Sequence, residues 1–117
     1  MDILAREQYC YLTTVGRRTG NPHTIEIWFA MPEHGRSLYM LAGGGDRSDW
    51  VKNIRQDPGV QVRIGDRIFS GLGRVIAEPA EEKLARRLVV AKYYGREEVR
   101  STGWEATSLP VAVDLAL

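Results

Sequence analysis

Apolar and polar positions alternate with period two over several short stretches of the chain, and these set the first expectations. Tyr9 to Thr14 is aromatic and β-branched, and Gly16 to Gly20 supplies turn residues. In His23 to Ala30, Ile25, Ile27 and Phe29 alternate with Thr24, Glu26 and Trp28. The three segments read as strand, loop and strand. Pro32 to Gly35 is a further turn, and Ser37 to Ala42 (SLYMLA) is a short apolar third strand. Val60, Val62 and Ile64 alternate with Gln61 and Arg63, Gly65 and Asp66 offer turn chemistry, and Arg67 to Ala77 resumes as a long strand containing Gly71 and Gly73. This predicts a hairpin whose second strand bulges or bends at its glycines, as strands do at barrel corners. Leu109 to Leu117 (LPVAVDLAL) reads as a closing strand.

The pattern changes to helical spacing twice. After Gly43, Gly44 and Gly45, which belong to a loop, Asp46 or Ser48 can cap a helix of two to three turns carrying Trp50, Val51 and Ile54. Asp57, Pro58 and Gly59 stop it. Pro79 suits a first helical turn, Glu81 and Glu82 suit its positive end, and Leu84, Leu88 and Ala91 recur at helical spacing to about Tyr94, with Gly95 following. Arg96 to Ser108 is polar and irregular. The order β-β-β-α-β-β-α-β predicts a mainly β (α+β) fold, a mostly antiparallel six-stranded barrel flanked by two helices. No linker, repeat or low-complexity segment divides it, so a single domain over residues 1–117 is expected.

Composition narrows the function. With 44% hydrophobic and 26% charged residues, the chain has ordinary globular make-up. Sixteen Lys and Arg oppose 15 Asp and Glu, so no global field draws it to nucleic acid or to an anionic membrane, and any anion site must be local. Cys10 is the only cysteine, which excludes an intramolecular disulfide and a cysteine-based zinc site; in an apolar run it reads as a small buried hydrophobe. His23 and His34 have no metal-like spacing with carboxylates, and no nucleophile elbow or paired-acid pattern stands out. The charged start and the lack of an apolar run near the ~20 residues that span a bilayer make the cytoplasm the expected location. The hard chemistry is therefore expected to belong to a cofactor.

Three stretches carry a resemblance to a known family. LTTVGRRTGNPHTIEIWF, Leu12 to Phe29, is similar to the leucine, threonine, glycine, arginine, threonine, glycine and proline run of the deazaflavin (F420)-dependent nitroreductases and quinone reductases. The glycine loop followed by SDWVKNIRQDPGVQVRIG, Ser48 to Gly65, resembles their tryptophan and asparagine helix and the strand after it. More weakly, Lys92, Tyr93 and Tyr94 with Trp104 and the closing LPVAV resemble their C-terminal region. The resemblance implies a split β-barrel of the pyridoxamine-phosphate-oxidase or FMN-binding-like type, usually a homodimer. Such a protein binds coenzyme F420 and passes hydride to a quinone, a nitro compound or an activated alkene. It further implies cofactor contacts from Arg17, Arg18, Thr19, His23, Gly43, Gly44, Gly45, Ser48, Trp50 and Asn53, and tyrosines over the acceptor at Tyr93 and Tyr94.

The residues make chemical sense of this while leaving alternatives open. A cofactor phosphate and a carboxylate-bearing tail need cations and free backbone N–H donors, which Arg17, Arg18 and His23 around the Gly16 to Gly20 turn can supply. Two arginines at a hairpin tip can also simply face water. Bare glycine backbone at Gly43 to Gly45, beside a helix N-terminus near Ser48, can lie against a planar ring. Trp50 is a pocket wall or plain core, and Asn53 touches the cofactor or caps a turn. Tyr93 and Tyr94 orient an acceptor oxygen and donate a proton, or they pack the helix end onto the sheet.

Two positions depart from the family pattern: His23 where a stronger base is common, and Glu26 where proline is common. Glu26 is expected to pair with an arginine, since a carboxylate in a strand needs a partner or solvent. The short start is read as arguing against membrane association. The competing functions are an FMN-dependent enzyme of the same fold and a non-catalytic module holding a flavin, haem or lipid-like ligand.

Overall fold

Six strands, β1 (Cys10–Val15), β2 (Pro22–Ile27), β3 (Ser37–Ala42), β4 (Gly59–Ile64), β5 (Arg67–Val75) and β6 (Leu109–Leu115), pair antiparallel into one sheet of order β2-β1-β4-β5-β6-β3. The structure is a computed structural model and describes residues 2–33 and 35–116; expectations for His34 and Leu117 fall outside them. The sheet curls until its two edge strands meet at one point. Ala30, just beyond β2, exchanges backbone hydrogen bonds of 2.9 and 2.8 Å with Tyr39 of β3.

Curling leaves the strands in two environments. In β1, β4 and β5 inward residues such as Leu12, Val62 and Phe69 are buried while their neighbours face outward, as an antiparallel sheet with one wet face requires. β3 and β6 are buried on both sides. Leu38, Met40, Val111 and Val113 point into the barrel, whereas Tyr39, Leu41 and Ala112 lie under α3 (Pro79–Tyr94). That double burial is why SLYMLA is continuously apolar rather than alternating.

α3 begins with Pro79 after Glu78 and ends at Gly95, whose left-handed φ of 65° lets its N–H reach the Ala91 carbonyl. Arg74 of β5 fastens it to the sheet, donating to Glu81 at 2.6 and 2.8 Å and to Asp114 of β6 at 2.7 and 3.1 Å. The guanidinium holds both carboxyls below their ordinary range. β5 pairs with β4 as far as Leu72 and with β6 from Gly71 onward, so the barrel corner lies at these residues. Gly71 has no room for a side chain there, because a Cβ would sit 2.8 Å from the Asp114 carbonyl oxygen.

Several boundaries differ from the sequence expectation. One-turn helices occur at α1 (Asp2–Ala5) and α4 (Trp104–Thr107), the latter inside the stretch expected to be irregular, and a 3-10 turn at Gly45–Arg47 precedes α2 (Asp49–Gln56). β5 stops at Val75 rather than Ala77, and β2 stops at Ile27 rather than Ala30. β2 ends because side chains of α3 take over the Phe29 main chain. The Tyr93 hydroxyl accepts from the Phe29 N–H at 2.9 Å and Lys92 Nζ donates to the Phe29 carbonyl at 2.9 Å, which turns the following residue toward β3. Ser48 is the residue before α2, but its side chain makes no capping hydrogen bond.

Candidate active site

The tip of the β1–β2 hairpin is one tight helical turn. The Gly20 N–H donates to the Gly16 carbonyl at 2.8 Å and Gly20 leaves the turn at φ 77°, while the Asn21 N–H donates to Thr19 Oγ1 at 3.2 Å. The N–H groups of Arg17, Arg18 and Thr19 therefore lie at the open start of a turn, the arrangement that attracts anions. Arg17 N–H is used by Asn53 Oδ1 at 3.1 Å; those of Arg18 and Thr19 have no acceptor among the described residues. Gly16 is needed beside them, since a Cβ there would lie 2.7 Å from the His23 imidazole resting against the turn.

Asn53 ties this turn to α2. It is 3% exposed; its Nδ2 donates to the buried Thr14 Oγ1 at 3.0 Å, and its Oδ1 also accepts from Arg17 Nη1 at 2.9 Å. Arg17 Nη2 donates to Asp49 Oδ1 at 3.2 Å. The asparagine is thus a strut with every polar atom of its side chain engaged, and its Oδ1 holds Arg17.

Between this turn, β2 and α2 lies a cleft of ≈ 390 Å³. Arg17, Arg18, Thr19, His23, Trp50 and Asn53 all line it, joined by Thr24, Ile25 and Asp49, none of which the sequence singled out. Its lining combines the Arg17 and Arg18 guanidinium groups and the His23 imidazole with Ile25 and the half-buried Trp50. Such a donor set fits a phosphate beside a planar ring.

Gly43, Gly44, Gly45 and Ser48 do not line this cleft. Their glycines have other causes. A Cβ at Gly44 would meet Ser48 Oγ at 2.6 Å, a Cβ at Gly43 would lie 3.1 Å from Trp104 Nε1, and Gly45 has φ 57°. The triplet makes the turn into α2 and lets Trp104 pack against it.

A second group of side chains sits just beyond the end of β2. Trp28 stacks on Tyr93 with centroids 4.1 Å apart, and Tyr94 and Trp104 approach it edge to face at 6.1 and 5.9 Å. The Tyr93 hydroxyl accepts from the Phe29 N–H and lies 2.8 and 2.9 Å from the carbonyls of Gln8 and Phe29, while burial pushes its phenol up to about 12. This corrects the expectation for Tyr93: its hydroxyl is engaged by main chain rather than presented to an acceptor. Tyr94 is 47% exposed and carries the Arg96 guanidinium 5.2 Å from its ring centroid. Trp28 was missed because an aromatic residue in an alternating strand gives no sign of which helix it will meet.

Glu26 also differs from expectation. It accepts from the Tyr11 hydroxyl at 2.7 Å, with no arginine ion pair among the described residues, and Arg63 lies instead over the Tyr11 ring at 4.3 Å. Cys10 is buried, and burial pushes its thiol up to about 12. No described helix is long and apolar enough to cross a membrane.

A curled antiparallel sheet, open along one seam and flanked by helices, is the pyridoxamine-phosphate-oxidase-like architecture. A candidate pyridoxamine 5'-phosphate oxidase from Listeria innocua shares the fold at 17% identity and TM-score 0.69, over 99% of this chain and 90% of that one. So does a conserved hypothetical protein from Mycobacterium tuberculosis at 21% identity and TM-score 0.74, over 96% and 74%. An F420-H2 dependent reductase matches at 21% identity and TM-score 0.66, over 91% and 93%. A model of the F420H(2)-dependent quinone reductase family matches residues 3–116, and the chain belongs to that family. It is an F420-dependent oxidoreductase with coenzyme F420 as its cofactor.

Proposed function

We propose that the chain, acting as one domain, passes hydride from reduced F420 to a planar electron-poor acceptor of the quinone class, with nitro compounds and activated alkenes as further acceptors. The cleft at the β1–β2 turn carries this reading, because guanidinium and hydroxyl groups and the Arg18 and Thr19 N–H donors, without acceptors among the described residues, converge there beside Ile25 and Trp50. When bound, the cofactor supplies the hydride. The chain supplies position and electrostatics: Arg18, Thr19 and His23 hold the phosphate, Arg17 is steadied by Asn53 behind them, and Trp50 with Ile25 walls the ring. Trp28, Tyr94 and Trp104 give an aromatic cluster just past the end of β2 for a flat acceptor.

Titration with oxidised F420 tests the cofactor end. Arg18→Ala is expected to weaken binding about tenfold or more, the cost of losing a charge-assisted contact to an anion. Equal affinity in wild type and Arg18→Ala would remove the cleft from consideration.

A homodimer is part of the proposal. The outward face of β5 leaves Ile68 and Leu72 at 64% and 59% exposure, on the wet side of the sheet. Sedimentation velocity at micromolar concentration should show a dimer that Ile68→Lys with Leu72→Lys converts to monomer; a wild-type monomer would refute it.

A further inference from the structure

Residues 95–103 join α3 to α4, and a single carboxylate gathers them. Glu105, 7% exposed, accepts from Arg96 Nη1 and Nη2 at 3.1 and 2.9 Å and from the Arg100 N–H at 2.8 Å. Arg96 Nη1 also donates to the Glu98 carbonyl at 2.9 Å, so the segment winds around the pair. These donors hold the Glu105 carboxyl below its ordinary range, which keeps it charged and the clamp closed at neutral pH. Both ends of the clamped segment belong to the aromatic cluster. Tyr94 precedes it and carries the Arg96 guanidinium 5.2 Å from its ring centroid, and Trp104 ends it, next to Glu105, and meets Trp28 edge to face. We propose that Glu105 is a positioning residue for the acceptor: by holding Arg96 and the Arg100 main chain, its carboxylate presets Tyr94 and Trp104 around Trp28. This rests on the reading of that cluster as the acceptor surface.

The clamp is separable from the anchoring of α4. Arg86 of α3 donates to the Glu105 carbonyl at 3.0 Å and to the Ser108 carbonyl at 2.9 Å, and the Trp104 indole packs against Gly43. Those contacts use the main chain of Glu105 and remain when its carboxylate is changed. Neutralising the side chain therefore loosens residues 96–103 while α4 stays docked. Once loosened, the two rings must be ordered when an acceptor binds, and that cost falls on acceptor affinity. The cofactor cleft at the β1–β2 turn shares no residue with the clamp.

Steady-state oxidation of reduced F420 by menadione, with F420 binding measured separately, tests this. Glu105→Gln keeps the size and an oxygen for the Arg100 N–H but removes the charge that Arg96 meets; Arg96→Met removes the same contact from a side chain 28% exposed. Each is expected to raise KM for menadione about five- to tenfold, with kcat per folded molecule within about twofold of wild type and F420 affinity unchanged. The double variant should be no worse than either single, because both remove one interaction, and Arg96→Lys should recover part of the loss. A purely structural role would move kcat or F420 affinity with the folded fraction and leave KM alone. Unchanged KM in Arg96→Met, additive effects in the double variant, or a fall in kcat or F420 affinity with KM fixed would overturn the proposal, and Arg96→Met decides it alone if Glu105→Gln does not fold. If wild type does not turn over menadione, or Trp28→Ala leaves its KM unaltered, the acceptor reading fails and this inference with it; if Trp28→Ala raises KM while Arg96→Met does not, only this inference fails.

Discussion

Asn53→Ala is expected to lower folding stability by about 2–3 kcal/mol and to weaken F420 binding by about tenfold. Two effects combine in that result. The substitution strips a nearly inaccessible Thr14 hydroxyl and the Arg17 N–H of their partner, and buried polar groups left unpaired carry their full desolvation cost. It also removes the hold of Asn53 Oδ1 on the Arg17 guanidinium at 2.9 Å, leaving that cation to the exposed Asp49 and without its preset position. Chemical denaturation reads the first effect and fluorescence titration with F420 the second. Tight binding by a destabilised Asn53→Ala protein would show that the strut supports the barrel alone.

The two adjacent tyrosines are expected to separate stability from turnover. Tyr93→Phe leaves the Phe29 N–H without its acceptor at a fully buried residue, and should lower stability by about 1–3 kcal/mol with kcat/KM per folded molecule unchanged. Tyr94→Phe should leave stability unaltered, because its side chain is half exposed, and lower kcat/KM toward quinones about tenfold if its hydroxyl orients the acceptor. Denaturation curves and steady-state oxidation of reduced F420 distinguish them. A stable Tyr93→Phe protein with lost turnover would exchange the two roles.

Which features were legible in the sequence follows from how far away their causes lie. Ser37–Ala42 and Pro79–Tyr94 have the expected bounds because the signals are local: a short apolar run between turns, a proline at the first helical turn, a glycine just past the last. β2 lost its last residues to side chains of α3 that lie more than sixty positions further on. The hairpin motif indicated Arg17, Arg18, Thr19 and His23 together, and a tight turn does bring such neighbours to one cleft. The glycine triplet also answers to Trp104, to Ser48 and to a left-handed φ, and two of those causes require the folded chain. For Asn53 the residue type was visible, but its partners Thr14 and Arg17 lie in β1 and in the turn after it, more than thirty positions earlier in the chain.

The pairing order has a consequence for how the molecule comes into being. β2 and β3 are neighbours in sequence yet stand at opposite edges of the sheet, and β3 is laddered to β6, with Ser37 opposite Asp114. Pairings of such wide sequence separation form late, because the chain must be ordered over a long loop before they repay it. During synthesis β3 has no ladder partner until the final strand has emerged. Such a seam belongs to the late, long-range part of folding, whereas the β1–β2 turn closes on hydrogen bonds that are local.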